Sequence, residues 1–225
     1  METKEFEIKK EKWLQEVADG CHEIATEIDL DFYIFQTPII YNPDLLLIGI
    51  NPGSNNSYSK MLKEKGVKKR EASSLYYNEN LLVEEANDWK DGMGAVRNKF
   101  KEIFFDDYLF SQLKNSVMMN MYYFNTKSSM DIKNLDAELK AYCLEKTKEF
   151  IDIINPKNIV FFTSDKSILA KIGVKEIQQV DTFLKIGKLN DHKIISIPHF
   201  SARGYNSKSI RNNIGKQLKK VLKSK

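Results

Sequence analysis

Three short stretches of this chain carry residue types that could do chemistry. In LLLIGINPGSNN, residues 45–56, a run of aliphatic side chains stops at Gly49, and Ile50, Asn51, Pro52 and Gly53 follow. Glycines at both ends of GINPG let the backbone turn sharply and approach a ligand closely, while Pro52 stiffens the turn and removes one donor. Asn51 offers an acceptor and donors but is no proton-abstracting base at neutral pH. It can orient a water or a polar ligand edge, or it can simply tie down a strand end. The second stretch is IISIPHFSARGYNS, residues 194–207, where a strand ending at Pro198 leads into His199, Ser201, Arg203, Tyr205 and Asn206. A lone loop histidine is more often structural than catalytic; a second Gly/Pro/Asn loop at another strand end strengthens the catalytic reading. The third is MMNMYYF, residues 118–124, an apolar run interrupted by Asn120. That amide either bonds to neighbouring strands or reads the edge of a ligand.

Other chemistries lack their motifs. GINPGS does not have the three-glycine spacing of a dinucleotide site, and neither a lysine-containing phosphate loop nor a nucleophile elbow is present. His22, His192 and His199 are scattered, and Cys21 and Cys143 have no zinc spacing around them. No metal or organic cofactor is expected, and the cysteines read as unreactive thiols in a reducing compartment.

Strand-end loops need a frame to bring them together. Helical spacing of Trp13, Val17, Ile24 and Ile28 predicts a helix over 9–28. FYIFQTPII reads as extended chain, and Leu45–Ile50, Val117–Phe124 and Asn158–Thr163 as strands, with further strands at Phe183–Ile186 and Ile194–Pro198. Short helices are expected around 57–64, 79–87 and 166–172. Longer ones run from Leu139 to Ile154 and from Ile210 to Leu222. Alternation of strands and helices predicts one α/β domain over 1–225 with a central, mostly parallel sheet covered on both sides. Such sheets bind ligands at the carboxyl ends of their strands, which places all three stretches in position for one site.

The 225 residues carry a formal net charge of +4, unevenly spread. From Arg203 to Lys225 there are eight Lys or Arg and no acid, and Lys60–Arg70 holds six basic residues against Glu64 alone. These are ordinary solvated faces or, if they share a side, a footprint for a phosphate-rich partner. No apolar run reaches membrane-spanning length and METKEFEIKKEKW lacks an export signal, so a cytoplasmic protein is expected.

GINPG at 49–53, with Pro198-His199-Phe200-Ser201-Ala202-Arg203 near the end of the chain, resembles the uracil-DNA glycosylase superfamily, nearest its mismatch-specific thymine/uracil branch. The segment around Asn120 is similar to the middle strand of related branches whose asparagine recognises a pyrimidine. The resemblance spans about Asp44 to Leu222 and leaves the segment 1–30 uncommitted. It implies a three-layer domain with a four-stranded, mostly parallel sheet, and a monofunctional, monomeric glycosylase of base excision repair that hydrolyses a damaged or mismatched base from DNA. Asn51, with the backbone of Ile50, would position the water, and His199 would steady the departing base. Asn120 would read the base edge, and Tyr58, Tyr122 or Phe124 would stack on the extruded pyrimidine. Ser201, Arg203, Lys208 and Arg211 would contact DNA. In this chain Ile197 precedes the motif proline and His199 follows it, whereas many members place histidine before proline. Two alternatives therefore stay open: a nucleic-acid-binding relative without rapid hydrolysis, and a hydrolase of free nucleosides or nucleotides.

Overall fold

A computed structural model describes residues 3–53, 56–83, 94–126, 131–199, 202, 204–205 and 207–224, without the side chains of 94–97. Six strands form its sheet: β1 (Leu45–Gly49), β2 (Ser116–Asn120), β3 (Ile159–Phe162), β4 (Lys175–Asp181), β5 (Leu184–Leu189) and β6 (His192–Ile197). Their order is β2-β1-β3-β6-β5-β4. The first four in that order are mutually parallel, whereas β5 runs antiparallel to β6 and β4 antiparallel to β5.

The parallel strands are apolar on both faces because both faces are covered. Successive side chains of a strand point to opposite sides. Accordingly Leu46, Ile48, Ile159 and Phe161 enter one core, and Leu45, Leu47, Val160 and Phe162 the other. The first core is closed by α1 (Thr3–Ile28) and α5 (Ala137–Ile154). Trp13 of α1 lies 4.7 Å from the Phe150 ring and donates its indole N–H to the Lys146 carbonyl at 3.1 Å, so the N-terminal helix belongs to the domain. The second core is closed by α3 (Gly94–Ile103), α4 (Asp107–Lys114) and α7 (Lys208–Lys223). Two shorter helices, α2 (Tyr58–Lys65) and α6 (Lys166–Lys171), complete the seven α-helices among the described residues.

The predicted four-stranded sheet is thus corrected to six strands, partly antiparallel. The β4–β5 hairpin overturns it. β4 was illegible because its burial is almost nil: only Ile177 and Asp181 are half-buried, and bulges break the alternation that marks a strand. The extended segment expected at 32–40 makes only isolated antiparallel bridges, Phe32 to Phe124 and Phe35 to Met119, along the outside of β2. Of the helix expected at 79–87, residues 81–83 form a turn and 84–87 lie outside the described residues. Helix α4 was not anticipated, although Asp106 accepts from Leu109 N at 2.9 Å as its N-cap.

Both thiols are buried and free. Burial pushes the Cys143 thiol up to about 12 and raises Cys21 well above its ordinary value, which leaves both protonated and unreactive. Among the described residues no helix is long and apolar enough to cross a membrane.

Helix α7 crosses α3 at Gly215, where a Cβ would lie 2.1 Å from the Ile103 carbonyl oxygen. Gly215→Ala is expected to destabilise the fold by about 1–3 kcal/mol in urea melts through overpacking. Gly53→Ala, with nothing within 4 Å of its Cβ, is expected to melt like the wild type.

Candidate functional site at the carboxyl edge of the sheet

Parallel register sends the carboxyl ends of β1, β2, β3 and β6 to one edge: Gly49 lies beside Asn120, and Phe162 beside Ile197. The loops carrying Asn51, Asn120 and His199 therefore leave the sheet on the same side, with β3 between the β1 and β6 ends. Of the two motif glycines, Gly49 is the constrained one. Its Cβ would sit 2.9 Å from Asn120 Oδ1, so any larger residue would displace that amide.

Beyond β1 and β2 the two chains stay together. Met121 N donates to Gly49 O at 2.8 Å, Tyr122 N to Ile50 O at 2.9 Å, and Thr126 N to Pro52 O at 3.4 Å. This pairing delivers Thr126 to Asn51. Asn51 Nδ2 donates to Thr126 O at 3.0 Å, Thr126 Oγ1 at 2.7 Å and Pro52 O at 3.1 Å. Two of those partners are carbonyls, which can only accept, so the amide has one permitted orientation. Among the described residues Oδ1 is left without a donor, held in place to accept from a water or a ligand.

Next to Thr126 lies a residue the motif analysis passed over. Asn125 is completely buried, yet neither Oδ1 nor Nδ2 has a hydrogen-bond partner. Its backbone N–H is bonded to Asp31 O at 2.8 Å, so the loss concerns the side chain alone. Leaving both halves of a buried amide unpaired costs on the order of 2–6 kcal/mol. Asn125 and Thr126 border a cleft of about 550 Å³, whose other walls include Leu30, Leu135, Asp131 and Asp136. Neither amide atom is accessible from the cleft as it stands, but an NH2 donor beside a carbonyl acceptor is the pair that matches the cis-amide edge of a nucleobase once turned toward it.

The other expected base contacts are placed differently. Asn120 is buried, donates to Tyr33 O at 3.3 Å and packs its oxygen on Gly49. Tyr58 is buried: its hydroxyl accepts from Arg70 N at 3.2 Å and is hydrogen-bonded to His22 Nδ1 at 2.9 Å. Phe124 is buried against Phe32, Tyr122 is buried, and Ile50 is half-buried with its carbonyl engaged.

His199 follows β6, mostly buried. Burial, and secondarily the charge of Lys99 on α3, lowers its imidazole to about 4, so it is neutral at pH 7 and can donate one N–H. Ser201 and Arg203 lie outside the described residues. Lys208 is exposed in the first turn of α7, whose start is capped by Ser207 accepting from Ile210 N at 3.2 Å. Arg211 is buried, pairs with Glu102 and donates to Tyr205 O at 3.2 Å; it joins α7 to α3 rather than facing solvent. Among the described residues no cluster of His, Cys, Asp and Glu could hold a metal ion.

Neither a scan against protein-family models nor a search of the curated proteins returns a match. The specific identity suggested by the two motifs, a uracil-DNA glycosylase-like enzyme of base excision repair, is not matched by the six-stranded sheet; the structure establishes an α/β fold.

Two outcomes follow from these geometries. Asn51→Asp puts an acceptor against the Thr126 and Pro52 carbonyls and should cost about 1–3 kcal/mol in denaturant melts at pH 7. His199 binds its proton less readily folded than unfolded, so wild-type stability should rise from pH 4 to about 6.5 and then level off. His199→Gln should lose that increment; an unchanged slope would show that the imidazole does not titrate with folding.

Proposed function

We propose that the cleft beside Asn125 holds a nucleobase and that the protein hydrolyses its N-glycosidic bond, with DNA carrying a base turned out of the stack as substrate. The observation that carries this reading is the pair of amides. Asn51 keeps one oriented acceptor free, and directly before its partner Thr126 stands a buried amide, Asn125, whose side chain lacks a partner.

In this mechanism Asn51 Oδ1 accepts a hydrogen bond from a water and directs its oxygen at the anomeric carbon. The carbon–nitrogen bond breaks, its electron pair leaves with the base, and the water oxygen completes the sugar hydroxyl while its proton passes to solvent. Asn51 cannot take that proton, so the scheme requires bond breaking to run well ahead of water attack. A neutral His199 suits the departing base, because an N–H donor stabilises developing negative charge without first having to be deprotonated. Asn125 supplies the donor and acceptor that identify the base edge.

One observation favours a second substrate, the free nucleoside. Much of the basic charge on α7 is engaged within the fold: Arg211 with Glu102, Lys219 with Asp106, and Lys223 over the Tyr108 ring at 4.7 Å. Asp131 and Asp136 also border the cleft, and hydrogen bonds from the start of α5 hold the Asp136 carboxyl below its usual range, hence ionised.

The deciding experiment is single-turnover base release from single- and double-stranded oligonucleotides bearing a panel of altered bases, alongside the matching nucleosides. Asn51→Ala and His199→Ala should each slow the chemical step by about 10²-fold or more. Asn125→Ala should weaken substrate binding while its melting point holds or rises, because an unpaired buried amide has been removed. Release from no member of the panel, or wild-type rates in both Asn51→Ala and His199→Ala, would remove the proposal.

A further inference from the structure

A second, smaller cavity borders Phe32, Tyr33 and Phe35 of the segment that runs along β2 and shares no lining residue with the cleft at Asn125. It measures about 120 Å³ and is bordered by Tyr33, Lys65, Arg70, Ser74, Tyr76 and Tyr77. That is room for about four waters. The residue that gives it character is Arg70, only 5% exposed. Its Nη2 donates to both oxygens of the buried Asp31 carboxylate, at 2.7 and 2.8 Å. The pairing uses that one nitrogen. Nε is buried without a partner, and the Tyr33 hydroxyl is hydrogen-bonded to the Arg70–Asp31 pair.

The guanidinium is held rigidly. The Tyr33 ring covers it at 4.7 Å and the Phe32 ring lies at 5.4 Å, while the Arg70 backbone N–H is fixed on Tyr58 Oη. Arginine carries five N–H donors in a planar fork suited to two-point contact with an oxyanion. Here one nitrogen is committed to Asp31, Nε is buried without a partner, and the residue borders the cavity. Asp31 balances the charge of Arg70, and Lys65 at the rim returns the cavity to a net positive charge. The Ser74 hydroxyl already donates to Glu71 O, which leaves donation to Arg70, Lys65 and the Tyr76 and Tyr77 hydroxyls.

We propose that this cavity is a binding site for one small tetrahedral oxyanion, a phosphate group, held by the unpartnered Nε–H of Arg70 and by Lys65. It is separate from the cleft at Asn125 and stands whether or not that cleft releases a base. The phosphate is either a free ion or the terminal group of a nucleotide strand, since both present the same oxygens.

The test is calorimetric titration of inorganic phosphate into the full chain at fixed ionic strength, with sodium chloride as the reference. Saturable one-to-one binding is expected for phosphate and not for chloride. Lys65→Gln, an exposed change that leaves the core intact, should weaken binding about 5-fold through loss of one charge-assisted contact. Arg70→Lys keeps a cation opposite Asp31 but has no second nitrogen to offer, and should abolish binding. Where Arg70→Lys does not fold, Lys65→Gln decides alone. Phosphate heats no larger than those of chloride, or an unchanged affinity in Lys65→Gln, would overturn the proposal and leave water as the occupant. A 5′-phosphorylated tetranucleotide that displaces phosphate assigns the site to a strand end; one that does not assigns it to the free ion.

Discussion

The contact between the bare Cα of Gly49 and the amide of Asn120 governs this molecule's functional edge. Neighbouring parallel strands normally diverge into separate loops once their hydrogen bonds run out. Here the missing side chain lets β2 pass close enough to β1 for the two to keep pairing beyond the sheet, from Gly49–Met121 through Pro52–Thr126. Everything notable about the edge follows from that shared exit. Thr126 arrives where Asn51 can grip it, the Asn51 amide acquires a single orientation, and Asn125 is drawn into the interior with no partner for its side chain.

Most of the frame could be read from residue pattern. Strands such as Leu45–Gly49 and Ile159–Phe162 are apolar throughout because each feeds two cores, and this was visible as unbroken runs. The antiparallel wing was not visible in full. β4 buries almost nothing, so its composition was free to be KEIQQVD, and hydrophobic periodicity had no signal to offer. The site divides along the same line. Asn51 and His199 stood out as polar residues at glycine- or proline-marked strand ends. Asn125 did not, since its importance lies in being unsatisfied, and satisfaction is a property of the surroundings. The weak clue was its place five residues after Asn120, just past the apolar run.

Charge was the least transferable reading. A chain end with eight basic residues and no acid resembles a polyanion-binding face in one dimension. In three dimensions Arg211 and Lys219 meet acids supplied from 102 and 106, and Lys193 caps the Val221 carbonyl. The clustering partly serves the docking of α7 on α3 and α4, with Lys208 among the cations left outward. Conversely, the basic run 60–70 contains one arginine whose buried pairing with Asp31 could not have been inferred from local sequence, because 39 positions separate the two.

The exposed edge strand β4 has a consequence for how this protein behaves in a crowded solution. An uncovered sheet margin is the usual template on which one chain recruits another into amyloid-like stacks. β4 occupies that margin with register breaks at two points, and the Gln179 amide folds back onto the carbonyls of Asp181, Thr182 and Leu184. A lattice of straight, evenly spaced donors and acceptors is therefore not presented, and the wing guards the parallel strands against self-propagating assembly.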